Sequence, residues 1–158
     1  MRLVVFLIFL VAACPTLACW VSPPIRATMV TGQDKLQGGA PRVPSVTYEI
    51  RRGDGTRPLD SCSDTGVLIL EMPLEGENAS LAYEFKVTPK GSSRAIIADG
   101  IYRGYERPRE GKLQFPFSWI DGADVVQEPV EISVQITPYR LTGEKGNAVV
   151  LQIADPIP

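Results

Sequence analysis

The stretch "LAYEFKVT", residues 81–88, decides the fold. Leu81, Tyr83, Phe85 and Val87 alternate with Ala82, Glu84, Lys86 and Thr88. Successive side chains of a strand point to opposite faces, so this segment buries one face and wets the other. Pro89-Lys90-Gly91 ends it. Proline removes a ladder donor and glycine favours a turn.

The same alternation recurs on both sides. Upstream, "PSVTYEI" sets Val46, Tyr48 and Ile50 against Thr47 and Glu49, and "TGVLILEM" points Leu68, Leu70 and Met72 one way. Val67 and Ile69 make the second face of that strand apolar as well, so it is read as central or covered on both sides. Downstream, "RAIIA" and "GIYRGY" are short and weak. "KLQFPFSW" turns Leu113, Phe115 and Phe117 inward, and its Pro116 predicts an edge or a bulge. "VEISVQIT" buries Val130, Ile132, Val134 and Ile136, and "AVVLQIA" buries Val149, Leu151 and Ile153. Gly143, Gly146 and Asn147 mark the turn between these last two. No helical period competes after Trp20. The 14 prolines and 14 glycines lie between short apolar runs, as in an all-β chain with many turns.

These segments predict an all-β fold: a single sandwich of about seven strands. The C-terminal half, "KLQFPFSWIDG" followed by "EPVEISVQITPYRLTGEKGNAVVLQIAD", resembles the last strands of a fibronectin type III-like domain. In that family an alternating strand leads into a polar hairpin with Gly-Asn and returns as a final apolar strand. Gly146-Asn147 fills that place, and "PSVTYEI" resembles the family's first strand. The resemblance spans roughly residues 41–155 and implies an immunoglobulin-like or fibronectin type III-like sandwich. It implies no activity, since such sandwiches carry many. The family's early-strand tryptophan is absent, because the chain has only Trp20 and Trp119.

The N-terminus reads as an export signal. Met1-Arg2 supplies a charge, Leu3 to Ala13 an apolar run, and Thr16-Leu17-Ala18 the small residues before a cut. The expected organisation is a signal peptide over 1–18, an irregular segment over 19–40 and the sandwich over 41–158. Cleavage after Ala18 discards Cys14 and leaves Cys19 and Cys62 as a pair. In an oxidising compartment two such cysteines form a disulfide. The loop of about 43 residues makes that closure worth 3–4 kcal/mol. The competing reading is a bacterial lipoprotein. Val11-Ala12-Ala13-Cys14 resembles a lipobox, with Cys14 lipidated and the chain tethered to the envelope. That reading leaves the same pair, Cys19 and Cys62.

The functional signals are sparse. A net charge of −2 gives no broad field for nucleic acid or anionic lipid. Nucleic acid is therefore not an expected partner, and a membrane is one only with lipid on Cys14. The absence of histidine removes Ser-His-Asp and Cys-His chemistry, along with His-ligated metal sites. Carboxylates remain: Asp121, Asp124 and Glu128 in one group, Asp60 and Asp64 around Cys62. They offer a weak calcium site or a hydrolase pair, and Asp-Gly is more simply a turn. No metal or cofactor is expected. "IYRGYERPREGK" interleaves Tyr102 and Tyr105 with Arg103, Arg107 and Arg109, the residue types enriched at interface hot spots. These five form the candidate binding surface, diluted by Glu106 and Glu110. Arg52-Gly53-Asp54 matches an integrin-binding tripeptide, and Asn78-Ala79-Ser80 is a glycosylation sequon, of use only in a eukaryotic pathway. A Ser92-Ser93-Lys90 dyad has no setting to depress the lysine.

The resulting expectation is a non-enzymatic, binding or structural module of the periplasm, surface or medium. Its partner is an unidentified protein or envelope component. It would work through the loops 52–64, 99–111 and 140–147. The alternatives are the tethered lipoprotein, a carboxylate-based hydrolase, and a binder that offers an edge strand to a partner. Intact mass of the protein from its source cell, before and after reduction and alkylation, tests the export reading. The expected product is a chain starting at Cys19 whose two cysteines alkylate only after reduction. A diacyl or triacyl mass on Cys14 overturns soluble export.

Overall fold

The structure is a computed structural model that describes residues 22–29, 39–53, 64–89, 96–121 and 127–156. Cys14, Cys19, Trp20, Asp54, Asp60, Cys62, Lys90, Ser92, Ser93 and Asp124 lie outside them, and with them the disulfide and the signal peptide.

The described residues form nine strands: β1 (Ile25–Arg26), β2 (Thr47–Arg51), β3 (Thr65–Pro73), β4 (Leu81–Pro89), β5 (Gly100–Arg103), β6 (Tyr105–Arg107), β7 (Lys112–Ile120), β8 (Val130–Arg140) and β9 (Val149–Asp155). Two short 3-10 turns, Asn78–Ser80 and Pro108–Glu110, are the only helical pieces among them. One sheet has the order β1-β5-β4-β8-β9 and the other β2-β3-β7-β6. Every pairing is antiparallel. The orders β2-β3-β7-β6 and β4-β8-β9 are the ABED and CFG orders of an immunoglobulin-type sandwich. The strand count exceeds the expected seven because β1 joins the sheet from the N-terminal segment and residues 100–107 divide into β5 and β6.

That division rests on Gly104. A Cβ there would lie 2.6 Å from Leu113 Cγ and 2.8 Å from Phe115 Cζ. Only a residue without a side chain lets the backbone pass this close as it crosses from one sheet to the other. The described part of "RAIIA", residues 96–98, is not a strand. Ile96 and Ile97 instead plug the core from the connection before β5.

The alternating faces meet in the middle. Leu68, Leu70, Met72, Tyr83, Phe85, Leu113, Phe115, Ile132, Val134 and Ile136 are all buried. At the centre Phe85 meets Phe115, Phe117 and Tyr102 at centroid separations of 5.2, 5.6 and 6.1 Å, and Tyr83 meets Phe115 edge-on at 5.5 Å. Edge-to-face pairs of this kind are worth about 0.5–1.5 kcal/mol each beyond the area they bury. The flanks are looser: Ile153 is buried, but Val149 and Tyr48 are each 39% exposed although both face inward.

Of the four prolines in strands, the two away from strand ends, Pro116 and Pro138, sit where a neighbouring strand has stopped. β6 covers β7 only from Lys112 to Gln114, so Pro116 lies on an open edge, as its residue type predicts. β9 reaches β8 only as far as Ile136, and Pro138 follows beyond it. Gly146 is not a turn glycine: its Cβ would lie 1.8 Å from the Pro41 carbonyl oxygen, so it makes room for the entering chain. The positive-φ residue of that hairpin is Gly143, at 91°.

The Tyr83 hydroxyl, buried in the core, lacks a hydrogen-bond partner among the described residues. Burial, helped by the charge of Glu77, pushes its phenol well above the usual tyrosine value. An unpaired buried hydroxyl costs about 1–3 kcal/mol. Tyr83→Phe is therefore expected to hold or raise stability by about 1 kcal/mol. Phe85→Ala should lose about 3–5 kcal/mol. Urea denaturation of the two variants checks both. A large loss in Tyr83→Phe would show that the hydroxyl has a partner after all.

Candidate binding face on the four-stranded sheet

The five residues singled out in 102–109 do not share a surface. Tyr102 is 5% exposed: it is a core residue, its hydroxyl donating to the Ala98 carbonyl at 3.0 Å. Arg26 of β1 lies over its ring, 5.9 Å from the centroid. Arg103 and Arg109 are exposed, Arg103 in β5 and Arg109 in the 3-10 turn after β6. Tyr105 and Arg107 alone come together in a groove, because β6 places both on the outer face of β7. The separation follows from the crossover at Gly104, since Tyr102 belongs to one sheet and Tyr105 to the other. A charge-and-aromatic pattern carries no mark of that switch.

The groove has a volume of about 280 Å³ on the outer face of the β2-β3-β7-β6 sheet. Val67, Ile69 and Pro116 line its floor; Arg51, Tyr105, Arg107, Gln114 and Ser22 form the rim. Cross-strand register explains the assembly: Arg51 pairs with Val67, Ile69 with Pro116, and Tyr105 with Gln114. Val67 and Ile69 are the residues that made β3 apolar on both faces. Here they are half-buried rather than covered. Ile120, outward on the same sheet, is 69% exposed.

A polar relay holds the rim. Lys112 Nζ donates to Glu71 Oε2 at 2.6 Å, and Gln114 Nε2 donates to Glu71 Oε1 at 2.8 Å. Gln114 then accepts from Arg107 Nε at 3.1 Å. On the other side Arg51 Nε donates to Glu49 at 2.6 Å. No described residue hydrogen-bonds the terminal guanidinium nitrogens of Arg51 or Arg107. Tyr105 donates to the Pro23 carbonyl at 2.8 Å, which draws the N-terminal segment to the groove's end. The hydrogen bond from Lys112 holds the Glu71 carboxyl below the usual glutamate value, against its partial burial. The same bond raises Lys112.

The acidic group is used differently. Asp121 is 3% exposed, and both its oxygens are taken by Arg52, at 2.7 and 2.9 Å. The Gly53 amide adds a third bond at 2.9 Å. Arg52 also reaches Asp155 at 3.2 Å and the Glu128 carbonyl at 3.0 Å. Glu128 thus acts through its backbone, while its Oε2 is buried without a partner among the described residues. An Arg52 held this way is not free to serve an adhesion tripeptide. No group of three or more His, Cys, Asp or Glu side chains able to hold a metal occurs among the described residues.

The described parts of the loops singled out above do not converge either. Arg52-Gly53 lies at the end of the sandwich where β2, β7 and β9 finish, and 140–147 lies at the opposite end. Most of 99–111 is strand. Arg140 anchors the second end, bonding Glu77 at 3.0 Å, Glu144 at 2.5 Å and the Gly39 carbonyl at 2.7 Å.

The lowered Glu71 pKa sets a direction for pH. Its contribution to stability is complete above the ordinary glutamate value of 4.5 and is lost as pH falls through the lowered native value. Glu71→Gln is therefore expected to flatten the stability profile below pH 4.5. Thermal melts across that range check it. A variant profile parallel to the parent's would remove Glu71 from the acid response.

No protein-family model matches the chain, and no curated protein or solved structure matches it either.

Proposed function

We propose that the chain is an exported, non-enzymatic binding module of immunoglobulin-like or fibronectin type III-like kind, acting in the periplasm, at the cell surface or in the medium. Its working face is the outer side of the four-stranded sheet. One observation carries this reading: an apolar floor of Val67, Ile69 and Pro116 lies between two arginines whose terminal nitrogens no described residue hydrogen-bonds. A floor of that kind rewards burial of an apolar side chain at about 25 cal/mol per Å². Arginine at the rim favours a carboxylate-bearing partner through bidentate bonds. The partner that fits is a protein segment carrying an apolar side chain between acidic ones.

The hydrolase alternative has less support. Of its three acids, Asp121, Asp124 and Glu128, Asp121 is not free, because Arg52 with Gly53 occupies both oxygens of that carboxylate. Removing one member of a buried charge pair costs about 3–5 kcal/mol, which suits a structural clasp better than a titrating catalyst.

In-cell photo-crosslinking tests the reading. A photoreactive residue at Gln114 probes the groove, and one at Gln135, on the exposed face of the other sheet, is the control. The expected result is a discrete adduct from 114, absent from 135 and lost when Arg51→Glu and Arg107→Glu are combined. Equal adducts from both positions, or none from 114, would overturn this assignment.

A further inference from the structure

The two sheets have four edges, and three of them are guarded. β1 is two residues long. β6 is three residues long and carries Glu106 and Arg107. β2 exposes Glu49 and Arg51. Short edge strands and charged side chains are the usual protection against pairing with another chain.

β9 differs. It is seven residues long, VVLQIAD, with no proline and no charge before Asp155. Its two N-terminal residues are exposed, Val149 at 39% and Val150 at 61%. Among the described residues, no strand pairs with β9 on the side away from β8. The Tyr48 hydroxyl donates to the Ala154 carbonyl at 3.4 Å and accepts from its amide at 3.5 Å, which shows that Ala154 turns its backbone groups outward. Backbone direction alternates along an antiparallel strand, so Val150 and Gln152 turn theirs outward too. No described residue hydrogen-bonds the backbone of either on that side.

We propose that β9 is a homodimerisation edge, pairing antiparallel with β9 of a second copy about a two-fold axis at Leu151. The sequence is complementary to itself in this register. Leu151 faces Leu151, Val149 faces Ile153, and Val150 faces Gln152 of the other copy. Ala154 falls opposite Ala148, and Asp155 opposite the Asn147 amide, so no like charges meet. Val150 and Gln152 are the pairs that exchange both backbone bonds, the groups left open in one copy. The contact is isologous and closes at two chains, joining the five-stranded sheets into one. The groove on the four-stranded sheet stays free, so the dimer presents two.

Sedimentation equilibrium of the full exported chain, over a range of concentrations, tests this. The parent is expected to be a reversible dimer. Val150→Lys with Gln152→Lys sets lysines directly opposite one another and is expected to weaken dimerisation roughly a hundredfold. Both side chains are exposed, so the melt of the monomer should be unchanged. The corresponding double glutamate variant should also be monomeric, and an equal mixture of the two should recover a heterodimer. A parent that stays monomeric at every concentration, or a lysine variant that dimerises as the parent does, would overturn the proposal. So would a failure of the mixture to pair.

Discussion

The Arg52 guanidinium is the constraint around which one end of the sandwich closes. It grips Asp121 after β7 with two bonds and reaches Asp155 at the end of β9 and the Glu128 carbonyl before β8. Stretches of chain around residues 52, 121–128 and 155, belonging to both sheets, meet at one planar cation. Arginine suits this because its fork is always charged and offers several fixed donors. A neutral residue would leave Asp121 buried and unpaired, and a lysine could not hold both its oxygens in one plane. Arg140 does the corresponding work at the other end with Glu77, Glu144 and Gly39. Two clasps of one chemistry thus hold the ends of an aromatic core.

Between the clasps the two outer faces differ. The outer face of the five-stranded sheet is mostly polar along β8 and β9, where Glu131, Ser133, Gln135 and Gln152 surround the exposed Val150. The outer face of the four-stranded sheet keeps Val67, Ile69, Pro116 and Ile120 near the surface. The relay of Lys112, Glu71, Gln114 and Arg107 spans that face and sets the rim arginine beside apolar floor. Apolar area next to an arginine whose terminal nitrogens no described residue bonds has the residue types enriched at interaction surfaces. The groove and the β9 edge lie on different sheets, so a dimer through one leaves the other available.

The core was legible from alternation. Leu81, Tyr83 and Phe85, Leu113, Phe115 and Phe117, and Val130, Ile132, Val134 and Ile136 were all read as inward, and all are buried. The reading of 102–109 went astray at Tyr102, which fills the core beside Phe85 and Phe117. Its neighbours' charges gave the whole segment a surface character that belongs only to part of it. The groove residues on β2 and β3 were not singled out, because Arg51 and Val67 come together only through strand pairing. One signal did point to them: the second apolar face of β3 is a face that something has to meet.

The sequence by itself determined the class of fold. A period of two, interrupted by proline and glycine, permits strands and little else, and the sign of each alternation marks which side is buried. It also removed histidine chemistry at the level of composition. Only the tertiary structure decided which polar residues work together. Arg52 with Asp121, Arg107 with Gln114 and Glu71, and the open flank of β9 all depend on sheet order and register. The physical reason is that alternation is a local property, set by backbone geometry, whereas sheet order is set by how whole faces pack. The Gly104 crossover shows the gap most plainly: one missing side chain sends Tyr102 and Tyr105, three residues apart, to opposite sheets.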